Sequence, residues 1–275
     1  MRVRWVRVTL PLFCLLLLSA VPLQAKTPPH FNVSARSAIV VDPNNGGILY
    51  SKNPHLRLPP ASTAKVMTVL LAMEKLPMER RIMISRNATD QANSKAGLTP
   101  GASYRAEDLI TACLVASSND AAVALAESID ENESAFAERM NKKAVEFGMK
   151  DTHFVNATGL TDKRQKQYST AYDLTLLMRR AAADPRLDRM MGIIDTSFTG
   201  SDGKTIRIKS HNKMLWRTPK FVKGKTGWTF ASRHTFVGTN YDSKKLIVFA
   251  MLSSKKPWVD IERLAEMGLF LKSHR

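Results

Sequence analysis

Three short motifs carry residue types suited to acyl transfer: Ser62-Thr63-Ala64-Lys65, Ser117-Ser118-Asn119 and Lys225-Thr226-Gly227. A serine hydroxyl is a poor nucleophile until a neighbouring base takes its proton. A lysine amine can be that base only if its pKa falls, through burial and a second cation nearby. Lys65 and Lys225 could form such a pair. On a helix, the spacing from Ser62 to Lys65 places hydroxyl and amine on one face, one turn apart. An oxyanion formed at the attacked carbonyl needs two backbone N–H donors. The helix start at Ser62 offers one, and the strand at Gly227-Trp228 offers the other.

Taken singly, the motifs are weak signals. Ser-x-x-Lys starts at Ser62, Ser201, Ser210 and Ser253, and Ser-x-Asn starts at Ser51, Ser85, Ser117 and Ser210, whereas Lys-Thr-Gly occurs once. Ser62 could be a plain helix cap, Asn119 a helix start, and Lys225-Thr226-Gly227 an exposed strand end. Context sorts them. Only Ser62 opens a helix early in the chain. Only Ser117 lies in a break between two helices, where side chains can face a cleft. Lys225 and Thr226 follow the β-like pair Phe221-Val222 and can project from a sheet edge.

The elements that must position these residues follow from hydrophobic periodicity. Ser37 to Val41 and Ile48 to Ser51 read as a hairpin around Asp42-Pro43-Asn44-Asn45-Gly46-Gly47. Val66, Val69, Leu70 and Met73 predict a helix over 61–75, after Pro59-Pro60. Further helices are predicted over about 105–116, 120–129, 133–147 (ending at Gly148) and 170–183 (stopping before Pro185). Segments 205–208, 221–225, 235–239 and 246–252 are β-like, with a turn at Tyr241-Asp242-Ser243-Lys244. Trp258 to Lys272 closes as an amphipathic helix. Strand hairpin, helices, strands, helix is the order of a mixed α+β unit. It predicts helices on an antiparallel sheet, first and last strands meeting in that sheet, and an all-helical lobe over about 75–185.

The chain has 275 residues, 44% hydrophobic and 24% charged, enough for a buried core. Its net charge of +17 would first point to nucleic acid, but the N-terminus reads as an export signal. Arg2, Arg4 and Arg7 form a basic head, residues 8–18 an apolar run, and Ala25 a small residue at a cleavage point. Removing 1–25 would take away those three arginines and leave +14 on residues 26–275. Outside the cytoplasm the anions met are wall and membrane-surface polymers. The basic residues also lack the aromatic interleaving of a nucleic-acid binder. Cys14 lies in the signal, so Cys113 is left without an internal disulfide partner. The six histidines are scattered and predict no metal site.

With these motifs in place, the sequence resembles the D-alanyl-D-alanine carboxypeptidase family, the low-molecular-mass penicillin-binding proteins. The resemblance extends over residues 35–255. It is carried by Leu58-Pro59-Pro60-Ala61-Ser62-Thr63-Ala64-Lys65-Val66-Met67-Thr68, Thr99-Pro100-Gly101, Glu107-Asp108-Leu109-Ile110 and Ser117-Ser118-Asn119-Asp120-Ala121. Phe154-Val155-Asn156-Ala157-Thr158-Gly159-Leu160, Tyr168 to Leu174 and Val222-Lys223-Gly224-Lys225-Thr226-Gly227-Trp228-Thr229 complete it. The resemblance implies the β-lactamase/DD-peptidase-like fold, with the active site between sheet and helical lobe. It implies Ser62 as nucleophile, Lys65 as general base, and Ser117 and Asn119 as proton relay and amide holder. Lys225 and Thr226 would bind the substrate carboxylate, with the N–H groups of Ser62 and Trp228, beside Gly227, as oxyanion hole. It implies no cofactor, peptidoglycan stem peptides ending in D-Ala-D-Ala as substrates, and β-lactams as covalent inhibitors.

Two departures matter. Family members often carry an arginine near the substrate carboxylate, and Lys245 aligns with it here, giving charge without a bidentate fork. Many members also carry a further C-terminal β-domain, whereas this chain reads as a single catalytic domain whose closing helix covers the sheet. That layout keeps endopeptidase cleavage of cross-links as the alternative. A β-lactamase of this fold needs a glutamate for deacylation, and none occurs between Glu146 and Glu262. A non-catalytic wall-binding module would explain the charge and export but not the assembled nucleophile.

Overall fold

The computed structural model describes residues 32–274, except 163, 218–221, 243 and 244. The expected signal, 1–25, and half of the turn at Tyr241–Lys244 lie outside the described residues. Strands β1 (Ser37–Val41) and β2 (Ile48–Lys52) form the first hairpin. A 3-10 turn, Ala61–Ala64, leads into α1 (Lys65–Lys75). Then follow β3 (Arg81–Met83), α2 (Arg86–Thr89), β4 (Ser103–Arg105), α3 (Ala106–Val115), α4 (Asn119–Ile129) and α5 (Glu133–Glu146). Next come α6 (Ala171–Ala182), α7 (Pro185–Met191), β5 (Asp195–Thr199), β6 (Thr205–Lys209) and α8 (Met214–Arg217). The chain closes with β7 (Val222–Thr229), β8 (Arg233–Asp242), β9 (Lys245–Ser254) and α9 (Pro257–Ser273).

The main sheet is antiparallel with order β2-β1-β9-β8-β7, so the first and last strands meet as expected. Period-two alternation sorts its side chains into two cores. Ile39, Val41, Val248, Ala250 and Leu252 face α1, α3, α4 and α6. Ala38, Val40, Ile247, Phe249 and Met251 face α9, against Ile261, Leu264 and Leu269. Strand β9 is apolar almost throughout because both its faces are covered. The amphipathic closing helix is therefore a layer of the core.

Strand β6 matches the β-like segment expected at 205–208, but its partner β5, the β3–β4 pair inside the lobe expected to be all-helical, and the helices α2, α7 and α8 were not anticipated. Elements of three to seven residues are too short to show a clear period. At the other end of the sheet order, β7 pairs with β8 and, among the described residues, with no strand on its other side. Its remaining flank lies beside the Ala61–Ala64 turn, and this edge positions the site.

Candidate active site

The turn that carries Ser62 is held in a strained geometry. Ala61 has φ +49°, in the left-handed region, and Thr63 donates its hydroxyl to the Pro60 carbonyl at 2.7 Å. Thr235 of β8 donates to the same carbonyl at 2.9 Å. Gly159, at φ +78°, lies against this turn so closely that a Cβ there would stand 1.9 Å from the Ala61 carbonyl oxygen. A Cβ on Gly227 would stand 2.8 Å from the Ser62 nitrogen. Both positions need glycine because backbone passes against backbone.

The Ser62 hydroxyl caps no helix. It accepts a hydrogen bond from Lys65 Nζ at 3.1 Å. Lys65 is fully buried, and its amine also donates to Asn119 Oδ1 at 2.6 Å and to the Thr158 carbonyl at 2.6 Å. Burial lowers its pKa from 10.5 to about 8, against the opposing pull of Asp120 and Glu133. Lys225 reaches in from β7 and donates to Ser117 Oγ at 2.9 Å and to the Thr226 carbonyl at 2.6 Å. Burial, and then the charge of Lys65, hold its pKa well below the usual lysine value. The charge of Lys65 thus disfavours protonation of Lys225, whereas the depression of Lys65 itself comes from burial and not from the second cation that the sequence reading also invoked.

Ser117 occupies the break between α3 and α4 at φ +58°. Asn119 begins α4, and its Nδ2 donates to the Ala92 carbonyl at 2.8 Å. The next residue, Asp120, is buried and accepts from the N–H groups of Ala96 (3.0 Å), Gly97 (2.9 Å) and Leu98 (3.2 Å). One carboxylate thus fixes the loop that forms the wall opposite β7. Cys113 packs beneath; burial pushes its thiol up to about 12, which keeps it protonated and unreactive.

These residues open on a cleft of about 810 Å³, lined by Ser62, Ser117, Asn119, Thr226, Gly227 and Trp228 among others. The structure therefore brings together Ser62, Lys65, Ser117, Asn119, Lys225, Thr226, Gly227 and Trp228. Lys245 is the exception and the correction. It opens β9 opposite Asp242, and its Nζ donates to Ser273 Oγ at 2.6 Å. The β8–β9 turn lies at the end of the sheet away from the cleft, because ten-residue β8 runs the sheet's full height, roughly 30 Å. No arginine, aspartate or glutamate lines the cleft among the described residues.

Sequence reasoning missed Thr158, Asp120, His211, Phe230 and Trp258. Thr158 contributes a backbone carbonyl, which no side chain announces. Asn156 to Gly159 is turn chemistry, and Asn156 Oδ1 accepts from Gly159 N–H at 2.8 Å, so the loop itself was legible.

The family model for D-alanyl-D-alanine carboxypeptidase matches residues 23–255. The chain belongs to this family. It is 33% identical over 205 residues to the D-alanyl-D-alanine carboxypeptidase DacF of Bacillus subtilis, covering 73% of this chain and 52% of that protein. The chain thus spans about half the length of that relative. It is 33% identical over 250 residues to a D-alanyl-D-alanine endopeptidase of Pseudomonas aeruginosa, covering 88% of this chain and 80% of that one. A crystal structure of a D-alanyl-D-alanine carboxypeptidase from Mycobacterium tuberculosis superposes with TM-score 0.83 at 29% identity, covering 91% of this chain and 95% of that one.

Proposed function

We infer that the protein is a serine-type D-alanyl-D-alanine carboxypeptidase, which trims peptidoglycan stem peptides through an acyl-enzyme on Ser62. The observation that carries this reading is the buried Lys65 amine, 3.1 Å from the hydroxyl of Ser62, which lines an open cleft. Neutral Lys65 takes the Ser62 proton as Oγ attacks the carbonyl between the two D-alanines. The N–H groups of Ser62 and Trp228 receive the oxyanion. The proton that Lys65 took passes through Ser117, which is bonded to Lys225, to the departing amine, leaving Lys65 neutral, while Asn119 holds the substrate amide. Lys225 and Thr226 take the terminal carboxylate. Water then hydrolyses the ester, with Lys65 again the base.

β-Lactams, whose ring amide stands in for the scissile bond, would acylate Ser62. The absence of a carboxylate among the described lining residues supports slow release of that adduct rather than β-lactamase turnover. The basic, apolar, then small pattern of residues 1–25 supports export, and the positive charge left on residues 26–275 supports loose attraction to wall or membrane-surface anions. Cleavage within cross-links is a second reading, favoured by the Pseudomonas relative, which is matched over more of its length.

Labelled penicillin should mark the wild type, and Ser62→Ala should abolish both the label and D-alanine release from a pentapeptide. Label or turnover surviving in Ser62→Ala refutes the reading. Mass analysis of products from pentapeptide and from cross-linked dimer separates the two cleavage modes.

A further inference from the structure

A glutamate in the first turn of α5 complements the helix dipole wherever its side chain lies. Glu133 is more committed than that. It is half-buried, and its Oε1 accepts the Ala157 N–H at 3.0 Å, 24 residues along the chain. The carbonyl of Ala157 is held from α1, where the buried Thr68 hydroxyl donates to it at 2.7 Å. Asn141, two turns further along α5, brackets Phe154, accepting from its N–H at 2.7 Å and donating to its carbonyl at 2.8 Å. Helix α5 thus grips the 154–159 loop at two points. The next two residues of that loop bear on the chemistry. The Thr158 carbonyl accepts from Lys65 Nζ at 2.6 Å, and Gly159 lies against the Ala61 carbonyl of the turn that carries Ser62.

Glu133 also acts through its charge. The ionisable groups around Lys65 are Lys225 from β7, Asp120 from α4 and Glu133 from α5, with the protonated Cys113 thiol of α3 beneath. Besides Lys65, the ionisable group that faces Glu133 is Glu127 of α4, whose oxygens accept from Ser85 and Asn87. Among the described residues no lysine or arginine forms an ion pair with Glu133. Burial holds its carboxyl above the ordinary glutamate value, opposed first by the Ala157 N–H. A half-buried carboxylate without a contact cation is costly to keep. It has a use at the moment of acylation. Lys65 becomes an ammonium when it takes the Ser62 proton, in a site that burial makes hostile to positive charge, and a carboxylate nearby lowers the cost of forming that charge. We propose that Glu133 is a positioning residue for acylation: it holds the loop whose Thr158 carbonyl orients the Lys65 amine, and its negative charge favours the ammonium that forms there. This inference rests on Lys65 as the base of the acyl-enzyme reaction proposed above.

Glu133→Gln keeps an acceptor for the Ala157 N–H and removes the charge, whereas Glu133→Ala removes both. The measurement is the second-order rate of acylation by labelled penicillin from pH 5.5 to 10, beside thermal unfolding of each variant. Without the charge Lys65 loses its proton more readily, so the Glu133→Gln midpoint should move down by roughly half a unit to one unit. Its plateau should stay within about threefold of wild type, lowered because the amine is then a weaker base. Glu133→Ala should show the same downward shift and lose about tenfold or more from the plateau, since the loop is no longer held, and glutamine restores what alanine loses. A Glu133→Gln midpoint at or above the wild-type value overturns the proposal, as does a wild-type plateau in Glu133→Ala. Where Glu133→Ala fails to fold, the Glu133→Gln midpoint alone decides. Wild type that takes no penicillin label overturns the acyl-enzyme reading itself, which separates that failure from failure of the role of Glu133.

Discussion

Replacing Asn119 by aspartate puts a carboxylate where a carbonyl oxygen now accepts from Lys65 Nζ at 2.6 Å, with both residues buried. At a lysine pKa of about 8, roughly one Lys65 amine in eleven is neutral at pH 7. At the unperturbed 10.5 that fraction would be roughly one in three thousand, so burial supplies most of the available base. An opposite charge at contact favours the ammonium and raises the pKa by about one to three units. The active fraction at pH 7 therefore falls about 10- to 1,000-fold, and the rising limb of the pH profile moves up by the same one to three units. The assay is the second-order rate of acylation by labelled penicillin from pH 5 to 10.5. Wild type should rise about tenfold per pH unit and level off above about 8, whereas Asn119→Asp should still be rising there and recover at high pH. Asn119→Ala, which removes the contact without adding charge, should be slower at every pH without moving the midpoint upward. An Asn119→Asp profile with the wild-type midpoint would refute Lys65 as the titrating base.

Gly159→Ala must displace the Ala61 carbonyl, 1.9 Å from the new Cβ, and with it the Ser62 turn; acylation should fall by about two orders of magnitude, measured in the same assay. Lys245→Arg, at the far end of the sheet, should leave the ratio of carboxypeptidase to endopeptidase rates within about twofold of wild type, which product analysis on both substrates checks.

The sequence by itself determined the local chemistry. Ser62 and Lys65 are one turn apart, and that spacing dictates their meeting whatever surrounds them. The break at Ser117 is equally local, since it needs only two helical periods separated by a few residues. The α+β order was legible because long periodic segments announce themselves, down to the closing helix that covers one face of the sheet. What only the tertiary structure decided are the relations across long separations. Lys225 and Ser117 are 108 residues apart, and their bond exists because β7 is the edge strand beside the 3-10 turn. The depressed pKa of Lys65 depends on α1, α4 and the Thr158 loop closing over one amine, and no motif encodes that desolvation. Lys245 went astray for the same reason. A strand's sequence gives its alternation but not which of its ends reaches the cleft, and in an antiparallel sheet successive turns fall at opposite ends.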